Sequence, residues 1–316
     1  MNGSRWQFHD LIIEGKADDA NLWQGWLNSF SSLAQSTAVP HLTVTFQTVA
    51  TVPAPPNRSP DFQQGDLLHY FVDGDQVIAH FPRYGQLQLD LVNGRTEGRI
   101  VPAAGQTYAI LEDLIAISLS PHLRRRHKFL LHAFAAAHEG GAVLLVGGIG
   151  AGKTTTGLSL LNAGWQLLSN DSPVVVANGR IQQYPGVLAA YPESFAHFPQ
   201  LKQLAEEPGG DGRTKISVTA ESIWPDVWLS EAPVRAICFP QIEERTAHAL
   251  TPLAKPVALA RLLPHAVEQW DKAMIPLHLQ TLRQLVESAP AYILHLSPDV
   301  LSIPQTIAQA FEDTQQ

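Results

Sequence analysis

The segment GGIGAGKT, set between an apolar run and a helical pattern, constrains the fold more than any other stretch of the sequence. It matches the Walker A pattern G-x-x-x-x-G-K-[ST] through Gly147, Gly152, Lys153 and Thr154. The run AVLLVG before it is typical of a strand buried on both faces, and TTTGLSLLNAG after it is typical of a helix ending at Gly164. This order predicts a phosphate-binding loop (P-loop) in an α/β fold.

A loop of this kind turns its backbone N–H groups inward around the β-phosphate of a nucleotide, and the following helix adds its positive N-terminal dipole. Lys153 is expected to pair with the β- and γ-phosphates, and the Thr154 hydroxyl to bind Mg²⁺. We therefore predict a site for ATP and Mg²⁺; a glycine-rich turn without a ligand is the alternative. Its nucleotide-binding residues are Gly147, Gly148, Ile149, Gly150, Ala151, Gly152, Lys153, Thr154 and Thr155.

The loop does not name the reaction, because kinases, ATPases and GTPases share it. The N-K-x-D sequence through which GTPases recognise guanine does not occur downstream. Asp171, eighteen residues after Lys153 at the end of WQLLSND, is the nearest acidic candidate for holding Mg²⁺, directly or through water. The span leaves room for one helix and one strand, which would return the carboxylate to the loop. The alternative for Asp171 is a helix cap or a turn residue.

The composition is that of a soluble globular protein, with 45% hydrophobic residues and a formal net charge of −8. An acidic balance argues against non-specific binding to nucleic acid or to anionic membranes. The basic cluster RRRHK at 124–128 is expected to be a helix end or connector, with an acidic partner or a phosphate as the alternative.

The compartment is predicted from three features. The single cysteine, Cys238, lies in the apolar run AICF and is expected to be a buried hydrophobe in a reducing compartment. The N-terminal sequence lacks the apolar core of a signal peptide, and no stretch approaches the roughly 18 apolar residues of a membrane-spanning helix. A cytoplasmic protein is therefore expected.

The pattern of apolar and polar residues changes near residue 105. Before it, HLTVTFQTV at 41–49 alternates as a half-buried strand does, the pairs Asp73-Gly74 and Asn93-Gly94 suit hairpin turns, and residues 20–35 have helical spacing. These patterns predict an antiparallel meander with one helix.

Beyond this point the patterns predict helices at 108–120, 257–270, 277–288 and 304–312, together with a strand at AYILHL. We predict a smaller, mostly-β N-terminal domain at 1–105, a helical connector at 106–127 and a P-loop nucleotide-binding, kinase-like domain at 128–316.

The segment from Leu130 to Val176 resembles HPr kinase/phosphorylase and, more closely, relatives of that enzyme from peptide-modification gene clusters. The family order is a strand with Leu-His, the loop strand, the loop, a helix, a glycine, an apolar strand and two aspartates. LLHAFAAAHEGGAVLLVGGIGAGKTTTGLSLLNAGWQLLSND follows that order, and His132 precedes Lys153 by the family's spacing of twenty-one residues. The resemblance implies an α/β fold of the HPr kinase / PEP carboxykinase-like type.

The resemblance implies a role for each matching residue. Lys153 would bind phosphate, Thr154 and Asp171 would hold Mg²⁺, and His132 would lie beside the catalytic acid; the implied catalytic residues are Asp171, His132 and Lys153. Asn170 stands where the family has an aspartate as general base. An amide cannot accept a proton at neutral pH, so help worth roughly 10²- to 10⁴-fold is lost.

Two residues could replace that base: Asp171 itself, or neutral His132, whose alternative role is a structural hydrogen bond. Thr155 stands where the bifunctional enzyme has an acidic residue, which argues against the reverse, phosphorolytic reaction.

Downstream residues are also implied by the resemblance. Lysines that follow a flexible loop face the active site in the relatives, and Arg213 or Lys215 could stabilise charge on a transferring phosphoryl group. An exposed surface lysine is the alternative. The glycines of EEPGGDGRT at 206–214 predict a mobile lid. Tyr184, Pro185 and Glu193 lie where the relatives bind nucleotide or acceptor.

These residues predict ATP- and Mg²⁺-dependent phosphoryl transfer to a hydroxyl of a peptide, a protein serine or a small molecule. A non-catalytic ATP-binding sensor or scaffold is the alternative that Asn170 favours, whereas the presence of His132 favours the kinase. An ATPase is a third alternative, although no glutamate is an obvious water-positioning residue. The relatives form hexamers or dimers, so a homo-oligomer is an expectation that rests on the resemblance. No nucleic acid or membrane partner is expected.

Overall fold

The computed structural model describes residues 1–107, 109–205 and 215–312. The chain is of mixed α/β type with large sheets, and it divides into two compact units. The first unit comprises Met1–His127 and Glu268–Ile275, and the second comprises Lys128–Val267 and Pro276–Gln316.

An eight-stranded sheet forms the first unit. Its strands are β1 (Asn2–Phe8), β2 (Leu11–Ala17), β3 (Leu42–Thr48), β4 (Phe62–Gln64), β5 (Leu68–Asp73), β6 (Gln76–Phe81), β7 (Gly85–Asp90) and β8 (Arg95–Ile100). Their spatial order is β1-β2-β3-β8-β7-β6-β5-β4, and β3 runs parallel to both of its neighbours. Strands β5 to β8 form the antiparallel meander predicted from the Asp-Gly and Asn-Gly turns.

The two helices of this unit are α1 (Ala20–Ser29) and α2 (Ile110–Arg124). Helix α1 is shorter than the predicted span, and it begins after Asp19, whose carboxylate accepts hydrogen bonds from the backbone of Asn21 and Leu22. Helix α2 belongs to the first unit, because it buries Leu114 and Leu119 there. The chain that we predicted to be a separate connector at 106–127 is therefore part of this unit.

Residues 268–275 also belong to the first unit, although the sequence analysis assigned them to the second domain. Asp271 is buried and accepts hydrogen bonds from Arg124 Nε at 2.8 Å and from Arg125 Nη1 at 2.8 and 2.9 Å. Trp270 stacks on Tyr70 with ring centroids 4.6 Å apart, and the Arg124 guanidinium lies 4.9 Å from the Trp270 ring centroid. The basic cluster is thus a helix end whose acidic partner comes from a distant part of the same chain.

The second unit contains strands β9 to β19. They are β9 (Phe129–Leu130), β10 (Ala133–His138), β11 (Gly141–Val146), β12 (Gln166–Ser169), β13 (Val174–Val176), β14 (Arg180–Gln182), β15 (Leu188–Ala190), β16 (Ile216–Val218), β17 (Glu231–Ile242), β18 (Ala249–Leu253) and β19 (Ala291–Leu296). Strands β15 and β16 form a separate two-stranded ribbon, and the other nine form one sheet. Its main path is β12-β10-β11-β17-β14-β13-β9, and β19 pairs with both β17 and β18.

The helices of the second unit cover both faces of its sheet. They are α3 (Lys153–Asn162), α4 (Pro192–Ala196), α5 (Lys202–Ala205), α6 (Lys255–Leu262), α7 (Ile275–Ser288) and α8 (Ile303–Glu312). Helices α3 and α8 pack with Val143 and Leu145 of β11, whereas α6 and α7 pack with Leu144 and Val146 on the opposite face. Strand β11 is therefore buried on both faces, as its continuously apolar sequence predicted. The predicted helix at 257–270 is shorter in the structure, because Pro264 follows α6 in a 3₁₀ turn.

Strands β11, β17 and β19 run parallel, so their carboxyl ends meet at one edge of the sheet. Strand β10 is antiparallel to β11 and to β12, so the start of β10 and the end of β12 lie at the same edge. The sheet thus collects at this edge the phosphate loop, His132 before β10 and the pair Asn170-Asp171 after β12. Ligands of open α/β sheets bind at such an edge.

In the ranges that the structure describes, no helix has both the length and the apolar character needed to cross a membrane.

Candidate phosphate-binding site

The glycine loop joins the end of β11 to the start of α3. Gly150 and Gly152 have φ angles of 80° and 93°, in the left-handed region that favours glycine. A Cβ added at Gly152 would lie 2.9 Å from Leu296 Cδ1, and one added at Gly157 would lie 2.4 Å from two ring atoms of Phe134. These two glycines therefore allow the loop to pack against β19 and α3 to pack against β10.

Lys153 is buried at the first position of α3, with 8% of its surface exposed. Its Nζ donates to Gly147 O at 2.5 Å and to Gly148 O at 3.2 Å, and lies 3.2 Å from His132 Nε2. These contacts account for all three hydrogens of the ammonium group. Since an ammonium group cannot accept a hydrogen bond, Nε2 of His132 is the acceptor in this contact.

His132 links Lys153 to Asp171. Its Nδ1 lies 3.1 Å from Asp171 Oδ1, and with Nε2 acting as the acceptor the proton of the neutral ring is on Nδ1. The backbone fixes both partners, because His132 N donates to His265 O at 2.7 Å and Ala133 N donates to Asp171 O at 3.0 Å. The three residues that the resemblance implies to be catalytic therefore lie in one row of polar contacts at the loop.

Charges and burial shift the pKa values of two groups here. The pKa of Lys153 is lowered, chiefly by burial and also by the positive charge of Lys215, while Asp171 opposes the shift. The pKa of the His265 ring, whose centroid lies 6.1 Å from that of His132, is lowered chiefly by burial and also by the positive charge of Lys153. Lys153 therefore gives this edge a buried positive charge, which favours an anionic ligand.

Asn170 precedes Asp171 but takes no part in the Lys153–His132–Asp171 contacts in this structure. Its Nδ2 donates to Val187 O, just before β15, at 3.4 Å. Its Oδ1 is buried without a hydrogen-bond partner among the residues that the structure describes. The amide thus faces the β15–β16 ribbon. A hydrogen-bond donor therefore stands at the position where the family pattern has a carboxylate.

Two further contacts join the ribbon and α4 to this edge. Thr155 Oγ1, in the first turn of α3, lies 2.9 Å from Ser194 Oγ of α4. Lys215 Nζ lies 5.6 Å from the centroid of the Tyr191 ring, and its charge acts on Lys153. Lys215, a candidate from the sequence, therefore lies beside Tyr191, three residues before the serine of α4 that contacts the first turn of α3.

The residues of this edge suit ATP and Mg²⁺. A Cβ added at Gly148 or Gly150 would meet no atom within 4 Å, so there is open space around the loop. Thr154 and Asp171 offer a hydroxyl and a carboxylate. Within the described ranges no three His, Cys, Asp or Glu residues are grouped to hold a metal ion. Mg²⁺ binds through one or two protein groups and takes its other ligands from phosphates and water, so Thr154 and Asp171 are the residues that could hold it.

Other predicted site residues are not part of the contacts described above. Tyr184 is a buried core residue, and burial raises the pKa of its hydroxyl. Pro185 is also buried, while Glu193 lies in the first turn of α4. Arg213 and the predicted lid at 206–214 lie outside the described residues.

Two residues of this edge were missed by the sequence analysis. His265 follows α6 and has no motif that marks it. Glu243 follows β17, the parallel neighbour of the loop strand, and accepts hydrogen bonds from His295 Nδ1 at 2.6 Å and Arg245 Nη1 at 3.2 Å. Strand β17 was not recognised because Pro233 and Pro240 interrupt its pattern.

Comparisons with known proteins add little to this geometry. No protein-family model matches the chain, and no curated protein matches it. Among solved structures, the chain is similar to the HPr(Ser) kinase/phosphatase from Coxiella burnetii. That match has 12% sequence identity and a TM-score of 0.29, and it covers 59% of this chain and 99% of that chain. A likeness with so low a TM-score carries no argument about fold or activity.

Proposed function

We propose that the second unit transfers the γ-phosphoryl group of ATP, with Mg²⁺, to a hydroxyl of a peptide, a protein serine or a small molecule. One observation carries the proposal: His132 lies between Lys153 and Asp171 at the glycine loop, hydrogen-bonded to Lys153 Nζ and with Nδ1 3.1 Å from Asp171 Oδ1. A site that only binds phosphate requires Lys153 but not a histidine held between it and a carboxylate.

The hydrogen bonds of Lys153 can be exchanged for hydrogen bonds to a ligand. Its ammonium group donates to the carbonyls of Gly147 and Gly148, which are neutral acceptors. Phosphate oxygens are charged acceptors and form hydrogen bonds roughly twice as strong. A bound triphosphate therefore competes for Nζ, and His132 Nε2 is then free to accept a proton from the acceptor hydroxyl.

Asp171 has two compatible roles. One carboxylate oxygen lies 3.1 Å from His132 Nδ1 and favours the tautomer with its proton on Nδ1, whose Nε2 can accept a proton. The side chain is largely exposed, at 60%, so its other oxygen is available to Mg²⁺, which Thr154 would bind from the loop. Bound Mg²⁺ supplies neutralisation of phosphate charge, and Lys215 adds a second cation on the side of the ribbon.

Asn170 favours a second candidate, a protein that binds ATP without transferring the phosphoryl group. Its amide cannot act as a base, and it donates to Val187 O instead. Such a sensor would bind nucleotide through the same loop, so the two functions differ in transfer and not in binding.

The test follows γ-labelled phosphate from MgATP in a lysate of the source organism. We expect label on an acceptor with wild type, loss of both nucleotide binding and transfer in Lys153→Ala, and loss of transfer with nucleotide still bound in Asp171→Ala. Lys202→Ala removes an exposed lysine of the same unit and is the matched control. ATP binding without labelling of any acceptor would support the sensor and contradict the kinase.

A further inference from the structure

At one end of the β15–β16 ribbon, two side chains that extend the two strands contact each other. Ala190 pairs with Ile216, so Tyr191 and Lys215 are the next residues on the two strands at that end. Their side chains meet, with Lys215 Nζ 5.6 Å from the Tyr191 ring centroid. We call this pair the ribbon tip.

Two hydrogen bonds join the ribbon and α4 to the phosphate-binding edge. Asn170 Nδ2 donates to Val187 O, one residue before β15. Thr155 Oγ1 bonds to Ser194 Oγ of α4, three residues after Tyr191. In the sequence, Asn170 and Thr155 are direct neighbours of the two candidate Mg²⁺ ligands.

The ribbon tip is held near the loop helix, because Ser194 N donates to Tyr191 O at 2.9 Å and Ser194 Oγ lies 2.9 Å from Thr155 Oγ1, two residues after Lys153. The charge of Lys215 also lowers the pKa of Lys153. Two ammonium groups held near each other repel unless an anion lies between them. The terminal phosphoryl group of ATP carries the most charge and lies at the end of the nucleotide that Lys153 is expected to contact. Lys215 is therefore suited to this group, provided that the ribbon keeps its position.

We propose that Asn170 and Ser194 are positioning residues that hold the ribbon, through Val187 and Thr155, so that Lys215 contacts the γ-phosphoryl group of bound ATP. The inference rests on the ATP site of the proposed function. It also explains why an asparagine stands at position 170, which the family pattern does not explain. A carboxylate has no hydrogen to donate to Val187 O. Asn170→Asp is therefore expected to weaken the site, and not to restore a missing base.

The test compares the affinities of the full chain for MgATP and MgADP by calorimetry, because only ATP has a γ-phosphoryl group. Lys215→Ala should weaken ATP binding roughly 10-fold or more and change ADP binding less than about 2-fold, as expected for a lost hydrogen bond between charged groups. Asn170→Ala and Ser194→Ala should each weaken ATP binding about 3- to 10-fold with the same selectivity.

Double variants show whether the two residues act through Lys215. In the Lys215→Ala protein, adding Asn170→Ala or Ser194→Ala should weaken ATP binding no further, because the contact that they position is already gone. Additive losses would overturn the inference. Equal loss of ADP and ATP affinity in the single variants would do so as well, since it would mean general damage to the site.

Three control variants have matched chemistry. Ser194→Thr keeps the hydroxyl and should keep most of the ATP affinity, whereas Ser217→Ala removes an exposed hydroxyl from the same ribbon and should change nothing. Gln166→Glu makes the same amide-to-carboxylate change as Asn170→Asp at an exposed position of β12, and it should leave ATP binding unchanged. If Gln166→Glu weakened ATP binding as much as Asn170→Asp, the effect of Asn170→Asp would be one of charge alone and the inference would fall.

The inference and the proposed function fail in different ways. Loss of ATP selectivity through Lys215, Asn170 and Ser194 without phosphoryl transfer to any acceptor would support the inference and contradict the kinase. Transfer that persists in Lys215→Ala with unchanged ATP affinity would overturn the inference and leave the kinase standing.

Discussion

Lys153 Nζ and His132 Nε2 are hydrogen-bonded at 3.2 Å, which makes the candidate phosphate-binding lysine and the candidate base partners in the same contact. Nε2 accepts a hydrogen bond from Lys153 in this structure. The histidine is therefore expected to act as a base only when Lys153 donates to another acceptor. The phosphate loop and the histidine are thus coupled by a single hydrogen bond.

From this contact we expect His132→Gln to slow phosphoryl transfer roughly 10²- to 10⁴-fold, the usual contribution of a general base. ATP affinity should change little, since Lys153 retains the loop carbonyls and the phosphates as partners. Rates of label transfer and calorimetric affinities measure the two effects separately. His197→Gln, at an exposed position in the same unit, should have neither effect. Unchanged transfer in His132→Gln would make the histidine a structural residue.

The buried ion pair of the first unit should be critical for its stability. Asp271→Ala leaves Arg124, which is 4% exposed, without its carboxylate, and we expect a loss of about 3–5 kcal/mol in the free energy of unfolding. Urea unfolding measures this loss. Asp66→Ala, at an exposed position of the same unit, should change stability by less than about 0.5 kcal/mol. Similar small effects in both variants would mean that water or another group replaces the missing carboxylate.

Acid should destabilise the first unit through His122. Burial lowers the pKa of this histidine to about 4, from its usual value of about 6.5. Its ring donates from Nε2 to Thr96 Oγ1 at 2.9 Å, since the Thr96 hydroxyl itself donates to Ser118 O. The unfolded chain binds the proton first as the pH falls, so stability is lost between about pH 6.5 and 4.

The loss in that pH range should reach about 3 kcal/mol, because each pKa unit corresponds to about 1.4 kcal/mol. Urea unfolding at several pH values measures it. His122→Gln keeps a donor for Thr96 but does not titrate, so this part of the pH dependence should disappear. An unchanged slope in the variant would assign the acid sensitivity to other groups.

Cys238 offers a measurement of opening in the second unit. The thiol lies in β17 beside the loop strand, is fully buried, and has its pKa raised by burial to about 12. We expect iodoacetamide to label the native protein only through opening of this unit, and saturating MgATP to slow labelling because it binds the closed form. Labelling in urea should be fast with and without nucleotide. Rapid labelling of the native protein would contradict the burial of Cys238.

The sequence predicted those parts of the structure that local patterns determine. The order of strand, glycine loop and helix defined the P-loop, and Asp73-Gly74 and Asn93-Gly94 defined two turns of the meander. The resemblance placed His132 and Asp171 together, and they are 3.1 Å apart in the structure.

What the sequence did not predict depends on long-range pairing. Strand β17 is central to the second sheet, but its two prolines obscure the alternation by which strands are recognised. Arg124 and Asp271 are 147 residues apart in the chain, and no local pattern connects them. The partner of Asn170 is a backbone carbonyl, and every residue has one, so side-chain identity could not reveal it.

The return of residues 268–275 to the first unit sets an order for the assembly of the chain during synthesis. Domains near the N-terminus usually fold first as they leave the ribosome. Here Arg124 remains without Asp271 until most of the second unit has been translated. A fragment ending at residue 127 would therefore lack both Asp271 and the ring that stacks on Tyr70, and the first unit can be completed only by a chain that extends past Ile275.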